Sequence, residues 1–184
     1  MAWSETGGLP GCRDLPFTPM PPKQEFPPLL APGFHPMTLA EVRAKCVDGF
    51  PLSKTRDRIM AGLEEALGWL VKAEMAATVW LDGSFMTVKI DPEDVDFVAF
   101  VRHTIMEDQT PQQNNVILCL EADELWQSHH CDAYIATEYP RGHPLHEGHT
   151  ADAVRYWRKR FGESRGGEPK GIATVTLAGK GGAP

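Results

Sequence analysis

The chain is 184 residues long, 42% hydrophobic and 23% charged, with a net charge of −7. This is the composition of an ordinary globular protein with room for one well-buried core rather than two domains. The acidic balance excludes a uniformly basic nucleic-acid-coating surface, and no apolar run reaches the roughly 18 residues that a membrane helix needs.

In chain order, nine of the sixteen prolines fall within the first 36 residues, so this leader (1–37) is expected to be extended or disordered. Its Phe17, Phe26, Leu29, Leu30 and Phe34 suggest draping over the domain rather than a free linker. Thr38-Leu39-Ala40-Glu41 is a capping-box pattern that opens a short helix to about Cys46. After the turn Asp48-Gly49-Phe50-Pro51, Ser53 caps a longer helix to about Ala73, with Ile59, Leu63, Leu67 and Leu70 at helical spacing. Thr78 to Leu81 reads as a short buried strand that breaks at the turn-forming Asp82-Gly83-Ser84.

Val95 to Val101 is the clearest strand in the chain. Residues 104 to 115 read as a loop or short helix, and apolar positions continuing from Val116 through Trp126 favour helix there. Cys131 to Thr137 is a third strand, Tyr139 to His149 a Pro/Gly/His loop, and Thr150 opens a basic amphipathic helix to about Phe161. Arg165-Gly166-Gly167 turns the chain into a last strand, Gly171 to Leu177, and 178–184 is a frayed tail. The resulting fold class is α/β or α+β, with one small mixed sheet flanked by helices over residues 38–177.

The chemistry centres on Asp94-Val95-Asp96. Alternate residues of a strand share a face, so two carboxylates point together while Val95 turns to the core. Such a pair repels itself and is relieved by a divalent cation, for which oxygen donors suit Mg²⁺ or Mn²⁺. Alone, this alternation also fits a half-exposed strand. Gly83-Ser84, directly after another strand, adds a turn whose backbone can approach a phosphate, with a hydroxyl beside it. Asp132 lies on the third strand among Cys131, Ala133, Tyr134 and Ile135, where a carboxylate needs a partner.

Strand–Gly-Ser–x9–Asp-x-Asp–strand, followed by a lone Asp on a later strand, resembles the polymerase-β-like nucleotidyltransferase superfamily. More narrowly, Leu81-Asp82-Gly83-Ser84-Phe85-Met86-Thr87 with Lys89, Asp94-Val95-Asp96 and Cys131-Asp132-Ala133-Tyr134 is similar to a compact bacterial group of that superfamily. Leu30 to His35, Phe161-Gly162 and Pro169-Lys170-Gly171-Ile172 extend the likeness over roughly 28 to 177. The resemblance implies transfer of a nucleoside monophosphate from a nucleoside triphosphate to a hydroxyl on protein, RNA or a small molecule. In that chemistry Asp94, Asp96 and Asp132 hold the metal, Gly83 and Ser84 the terminal phosphates, and Asp132 helps deprotonate the acceptor. The three carboxylates are expected to converge on one coordination sphere. No separate helical domain that would cradle the base is evident in the chain.

Lys89 lies between the glycine turn and the aspartates. Arg155, Arg158, Lys159, Arg160, Arg165 and Lys170 reverse the sign of charge locally, as a triphosphate or RNA end would require. Arg165 and Lys170 are the best placed, flanking the paired Gly166-Gly167 that permits close approach. The same charges also fit a solvated helix face. His143, His146 and His149 recur every three residues, which raises a zinc-dependent hydrolase as an alternative, although Pro144 and Gly148 oppose regular helical spacing. Trp69, Trp80, Trp126 and Trp157 read as core, and Asp82 as a turn former. Cys12, Cys46, Cys119 and Cys131 are widely spaced without a C-x-x-C pair, three of them in apolar stretches, and the N-terminus lacks a secretory signal. Free thiols and a cytoplasmic location follow as expectations. A third reading keeps the fold without catalysis: a nucleotide-sensing or protein-binding module, such as one partner of a toxin–antitoxin or phage-defence pair.

Overall fold

The computed structural model describes residues 24–179, so expectations for 1–23, including Cys12 and Phe17, and for 180–184 lie outside the described residues. A five-stranded mixed sheet runs in the order β1-β5-β2-β3-β4. Its strands are β1 (Gly33–Pro36), β2 (Ala77–Asp82), β3 (Val95–Arg102), β4 (Cys131–Glu138) and β5 (Gly171–Leu177). β2 is antiparallel to both β3 and β5, whereas β1 pairs parallel with β5 and β4 parallel with β3.

Strand alternation divides the apolar side chains between two faces. Phe97, Ala99 and Val101 of β3 join Val79, Leu81, Ala173 and Val175 on one face. There they meet α2 (Arg56–Lys72), which buries Ile59, Leu63, Leu67 and Leu70 at helical spacing. Val98, Phe100, Trp80 and Ile172 occupy the other face and pack on Trp157 and Phe161 of α6 (Asp152–Gly162). The even-numbered residues of β3, Asp96 among them, therefore emerge on the α6 side.

Thr38 makes the expected capping box with Glu41 and opens α1 (Leu39–Arg43), which continues as a π-type turn to Asp48. The Ser53 hydroxyl accepts from the Thr55 and Arg56 amides, although Thr55 stands at the N-cap position of α2. Arg56 is fully buried. Its guanidinium donates to the carbonyls of Cys46, Phe85, Thr87 and Lys89 at 2.6 to 2.8 Å, and it lies 3.8 Å from the centre of the Phe50 ring. This one side chain ties the irregular segment after the glycine turn to α2.

Other expectations are adjusted. Residues 103–129 form three short helices, α3 (His103–Glu107), α4 (Pro111–Leu120) and α5 (Glu124–His129). Gly62 of α2 has no room for a Cβ, which would strike the His129 backbone carbonyl, so α2 and α5 touch backbone to side chain-free surface. The end of the leader enters the sheet as β1, because Gly33 to Pro36 finds a parallel register on β5.

The helix that ends at Gly162 does not open at Thr150: a π-type turn at His146–Ala151 leads into α6, and part of the expected Tyr139–His149 loop is helical. The Thr150 hydroxyl is instead buried, accepting from the Tyr139 amide and donating to the Thr137 carbonyl. Cys46 and Cys131 are buried free thiols, and Cys119 is a free thiol on the exposed side of α4. Among the described residues no helix is long and apolar enough to cross a membrane.

Candidate active site

The sheet register builds the site. Asp82 pairs with Asp96 across β2 and β3, and Asp96 pairs with Asp132 across β3 and β4. Directly opposed residues project to the same face, so three carboxylates stand in a row over three adjacent strands. Asp94 precedes β3 by one residue. Lys170 stands immediately before β5, at the Asp82 end of the row. The row lies on the α6 side and opens into a cleft of about 770 Å³ that Phe161 helps to line.

The residues assigned from the sequence to the metal and phosphate site all line this cleft: Gly83, Ser84, Lys89, Asp94, Asp96, Asp132, Arg165 and Lys170; of the other basic residues of that run Arg160 lines it, and Arg155, Arg158 and Lys159 do not. Gly83 has φ of +84°, a region that side chains avoid, and a Cβ there would strike the Asp96 carboxylate. Glycine is thus required both for the turn and for the closeness of turn and carboxylate. Ser84 starts a single 3₁₀ turn (Ser84–Met86). Lys89 lies 3.9 Å from Glu93, and Arg165 is exposed at the rim. Residues of the leader close one side, where Glu25 accepts a hydrogen bond from the Gly166 amide at 3.1 Å.

Asp82 corrects the reading of a simple turn former. It is 5% exposed and its carboxylate is paired with Lys170. The ammonium lies 2.7 Å from each oxygen, with an aligned hydrogen bond on Oδ2 only, so Oδ1 is buried in ionic contact but without a hydrogen-bond partner. Burial raises the Asp82 pKa against the opposing pull of Lys170. The signal in the sequence was parity: Asp82 follows Trp80 by two, on the face that Asp96 shares.

The centre of the row carries the greatest electrostatic strain. Burial, then the charges of Asp94, Asp82 and Asp132, push the Asp96 pKa up to about 7, and Lys170 offsets only part of this. Asp132 accepts from the Tyr134 hydroxyl at 2.9 Å, and burial together with Asp132 raises the Tyr134 pKa. Arg160 reaches the same hydroxyl from α6. Trp126 corrects a second expectation, since it is 48% exposed rather than core, and its indole N–H donates to Asp94 Oδ2 at 2.9 Å. Trp80 and Trp157 are buried as expected, and Trp69 is partly buried against the core.

The chemistry of these donors fits a hard divalent ion: clustered carboxylates of which the central one, Asp96, is raised in pKa. The expected convergence of Asp94, Asp96 and Asp132 on one coordination sphere is not found: among the described residues no three His, Cys, Asp or Glu side chains are grouped closely enough to share one cation, and the sheet register sets the aspartates in a row instead. The loop histidines are gathered around Tyr139: the His143 ring stacks on it at 4.7 Å, His146 Nδ1 lies 2.8 Å from its carbonyl, and His149 is tilted against it at 5.6 Å.

A family described as of unknown function, DUF6932, matches residues 21–176. No curated protein and no solved structure matches the chain.

Proposed function

The chain belongs to the DUF6932 family, and from its own geometry we propose that it is a nucleotidyltransferase with a polymerase-β-like fold, acting in the cytoplasm. The observation that carries this reading is the Asp82–Asp96–Asp132 row set beside the positive-φ Gly83 turn in one cleft.

Asp94, Asp96 and Asp132 would hold Mg²⁺ or Mn²⁺. Bound there, the ion supplies positive charge to the donor's phosphates and to the charge that develops during transfer. The Gly83–Ser84 turn lets backbone and hydroxyl approach the terminal phosphates. Lys89, Arg160 and Arg165, which line the cleft, complement their charge, and Lys170 does so from its pair with Asp82. Asp132, with one oxygen fixed by Tyr134, keeps the other for a proton. In the transfer the acceptor oxygen bonds to the α-phosphorus, the bond from that phosphorus to the α–β bridging oxygen breaks, and pyrophosphate leaves with the electron pair. The acceptor's proton passes to the Asp132 side of the row.

The test is incubation of the protein with each nucleoside triphosphate, Mg²⁺ or Mn²⁺ and a cell lysate, followed by mass spectrometry for nucleotidylated products. Asp96→Asn should lower transfer by at least about a hundredfold, the scale expected on loss of a metal-ligand charge. Gly83→Ala should weaken triphosphate binding, because its Cβ meets the Asp96 carboxylate. Triphosphate binding without any product would favour the nucleotide-sensing module instead. Equal transfer by Asp96→Asn would reject the site.

A further inference from the structure

A second cleft, of about 270 Å³, opens beside the first and shares Asp94 and Asp132 with it. Its other walls come from the α4–α5 corner, notably Glu121, Asp123 and Trp126, with Cys131 and Ala133 of β4. The two clefts differ in their cations. Lys89, Arg160, Arg165 and Lys170 line the first beside its carboxylates, whereas no Lys or Arg lines the second. The shared carboxylates therefore stand between a cleft of mixed charge that can pair with phosphates and one that is acidic only.

We propose that the second cleft is the acceptor subsite, and that the acceptor carries its hydroxyl beside a protonated amine. This rests on the nucleotidyltransferase reading above and names the substrate class that the reading leaves open. A triphosphate seated among the basic groups of the first cleft presents its α-phosphorus toward the shared carboxylates. A hydroxyl arriving from the second cleft reaches those carboxylates from the other side, next to Asp132, without passing the leaving pyrophosphate. The products follow the balance already given: the acceptor gains the nucleoside monophosphate and pyrophosphate departs on the basic side.

Three features of the second cleft select the acceptor. Its volume suits one extended side chain or a small amino alcohol and is well below what a nucleotide requires. Glu121 and Asp123 are exposed at its rim, so a phosphodiester chain is repelled and an ammonium attracted. The Trp126 ring forms a half-exposed aromatic wall whose N–H is already bonded to Asp94, leaving the π surface for a cation. An α5 tryptophan that packed into the core, as the sequence pattern suggested, would offer none of this.

The experiment is equilibrium binding read by tryptophan fluorescence, using the part of the signal that Trp126→Phe removes. The probes are 1,3-diamino-2-propanol and a Lys-Ser-Lys peptide, with glycerol and an oligoribonucleotide as uncharged and anionic comparisons. The amine-bearing probes should bind, and the Glu121→Gln/Asp123→Asn variant should weaken them about tenfold or more, the loss lessening at high salt. Binding of the amino alcohol alone identifies a small-molecule acceptor, and binding of the peptide with it or alone identifies a protein side chain. The proposal is overturned if neither amine probe binds, if glycerol or the oligoribonucleotide binds as well, or if the double variant binds equally. Triphosphate affinity, measured separately on the same proteins, should be the same in wild type and double variant. Its absence from the wild type would sink the nucleotidyltransferase reading without touching the fluorescence result.

Discussion

Neutralising Asp96 should make the metal-free protein more stable, and only above mildly acidic pH. Its pKa of about 7 in the fold compares with about 3.9 for an unfolded aspartate. The sign follows from proton binding: the folded state holds this proton more tightly, so stability is greatest at low pH and falls as pH rises through the interval between the two pKa values. At about 1.36 kcal/mol per unit the full penalty is roughly 4 kcal/mol above pH 7. Some of the side chain meets solvent, so a working range of about 2–4 kcal/mol is appropriate, or roughly 5–15 °C in Tm for a chain of this size. Asparagine keeps the shape of the protonated acid and does not titrate. Thermal melts of chelator-treated wild type and Asp96→Asn should therefore nearly coincide at about pH 4 and separate steadily to about pH 7. Added Mn²⁺ should then raise the wild-type Tm more than the variant's, because binding only the native state stabilises it. An Asp96→Asn protein that melts lower than wild type at pH 8 without metal would refute the reasoning, as would a difference that does not change with pH.

Lys170→Met should cost about 3–5 kcal/mol in urea unfolding, since it leaves the Asp82 carboxylate buried without its cation. Adding Asp82→Asn to that variant should recover most of the loss, and a Lys170→Met protein as stable as wild type would show that the pair contributes nothing to the fold. Arg56→Lys should cost about 2–4 kcal/mol, because three ammonium donors cannot span the carbonyls that the planar guanidinium reaches from one position. Amide exchange in residues 85–90 should accelerate with it, and unchanged protection there would mean the segment is held by something else.

The site and the sheet were legible to different depths. Val95–Val101 and Cys131–Thr137 declared themselves as strands by β-branched and aromatic content, and parity placed Asp94 and Asp96 on the side away from Val95. Residues of the Gly83 turn were legible because only glycine meets a positive φ and a close carboxylate together. Asp82 was hidden by its neighbours: Asp-Gly-Ser is strong turn chemistry that masks the parity carrying the strand one residue further, and nothing local reveals that Lys170 arrives from 88 positions away to neutralise it. Trp126 was misjudged for a related reason. Apolar periodicity across 116–126 implied one helix with one inner face, but the chain bends at 121–123 and turns the indole outward. The short β1 has little strand signal of its own, ending in proline, and exists because β5 offers it an edge. Membership of a family of unknown function adds no chemistry to these readings, so the proposed activity stands on the row of carboxylates and its tests.

The place of β5 in the sheet bears on how the protein is made. It lies between β1 and β2 although it is the last of the five strands in the chain. During synthesis the earlier strands can form only an interrupted sheet, with the β2 edge open and Asp82 lacking its ammonium. Once residues 170–177 emerge, one event fills the gap, pairs the leader strand, and supplies the cation to the carboxylate row. Until then a nascent chain carries an unpaired strand edge, the kind of surface on which partly folded chains associate. Ordering of the cleft is thereby delayed until β5 has left the ribosome, so a stalled or truncated product lacking β5 is an aggregation hazard and not a chain with a partly formed cleft.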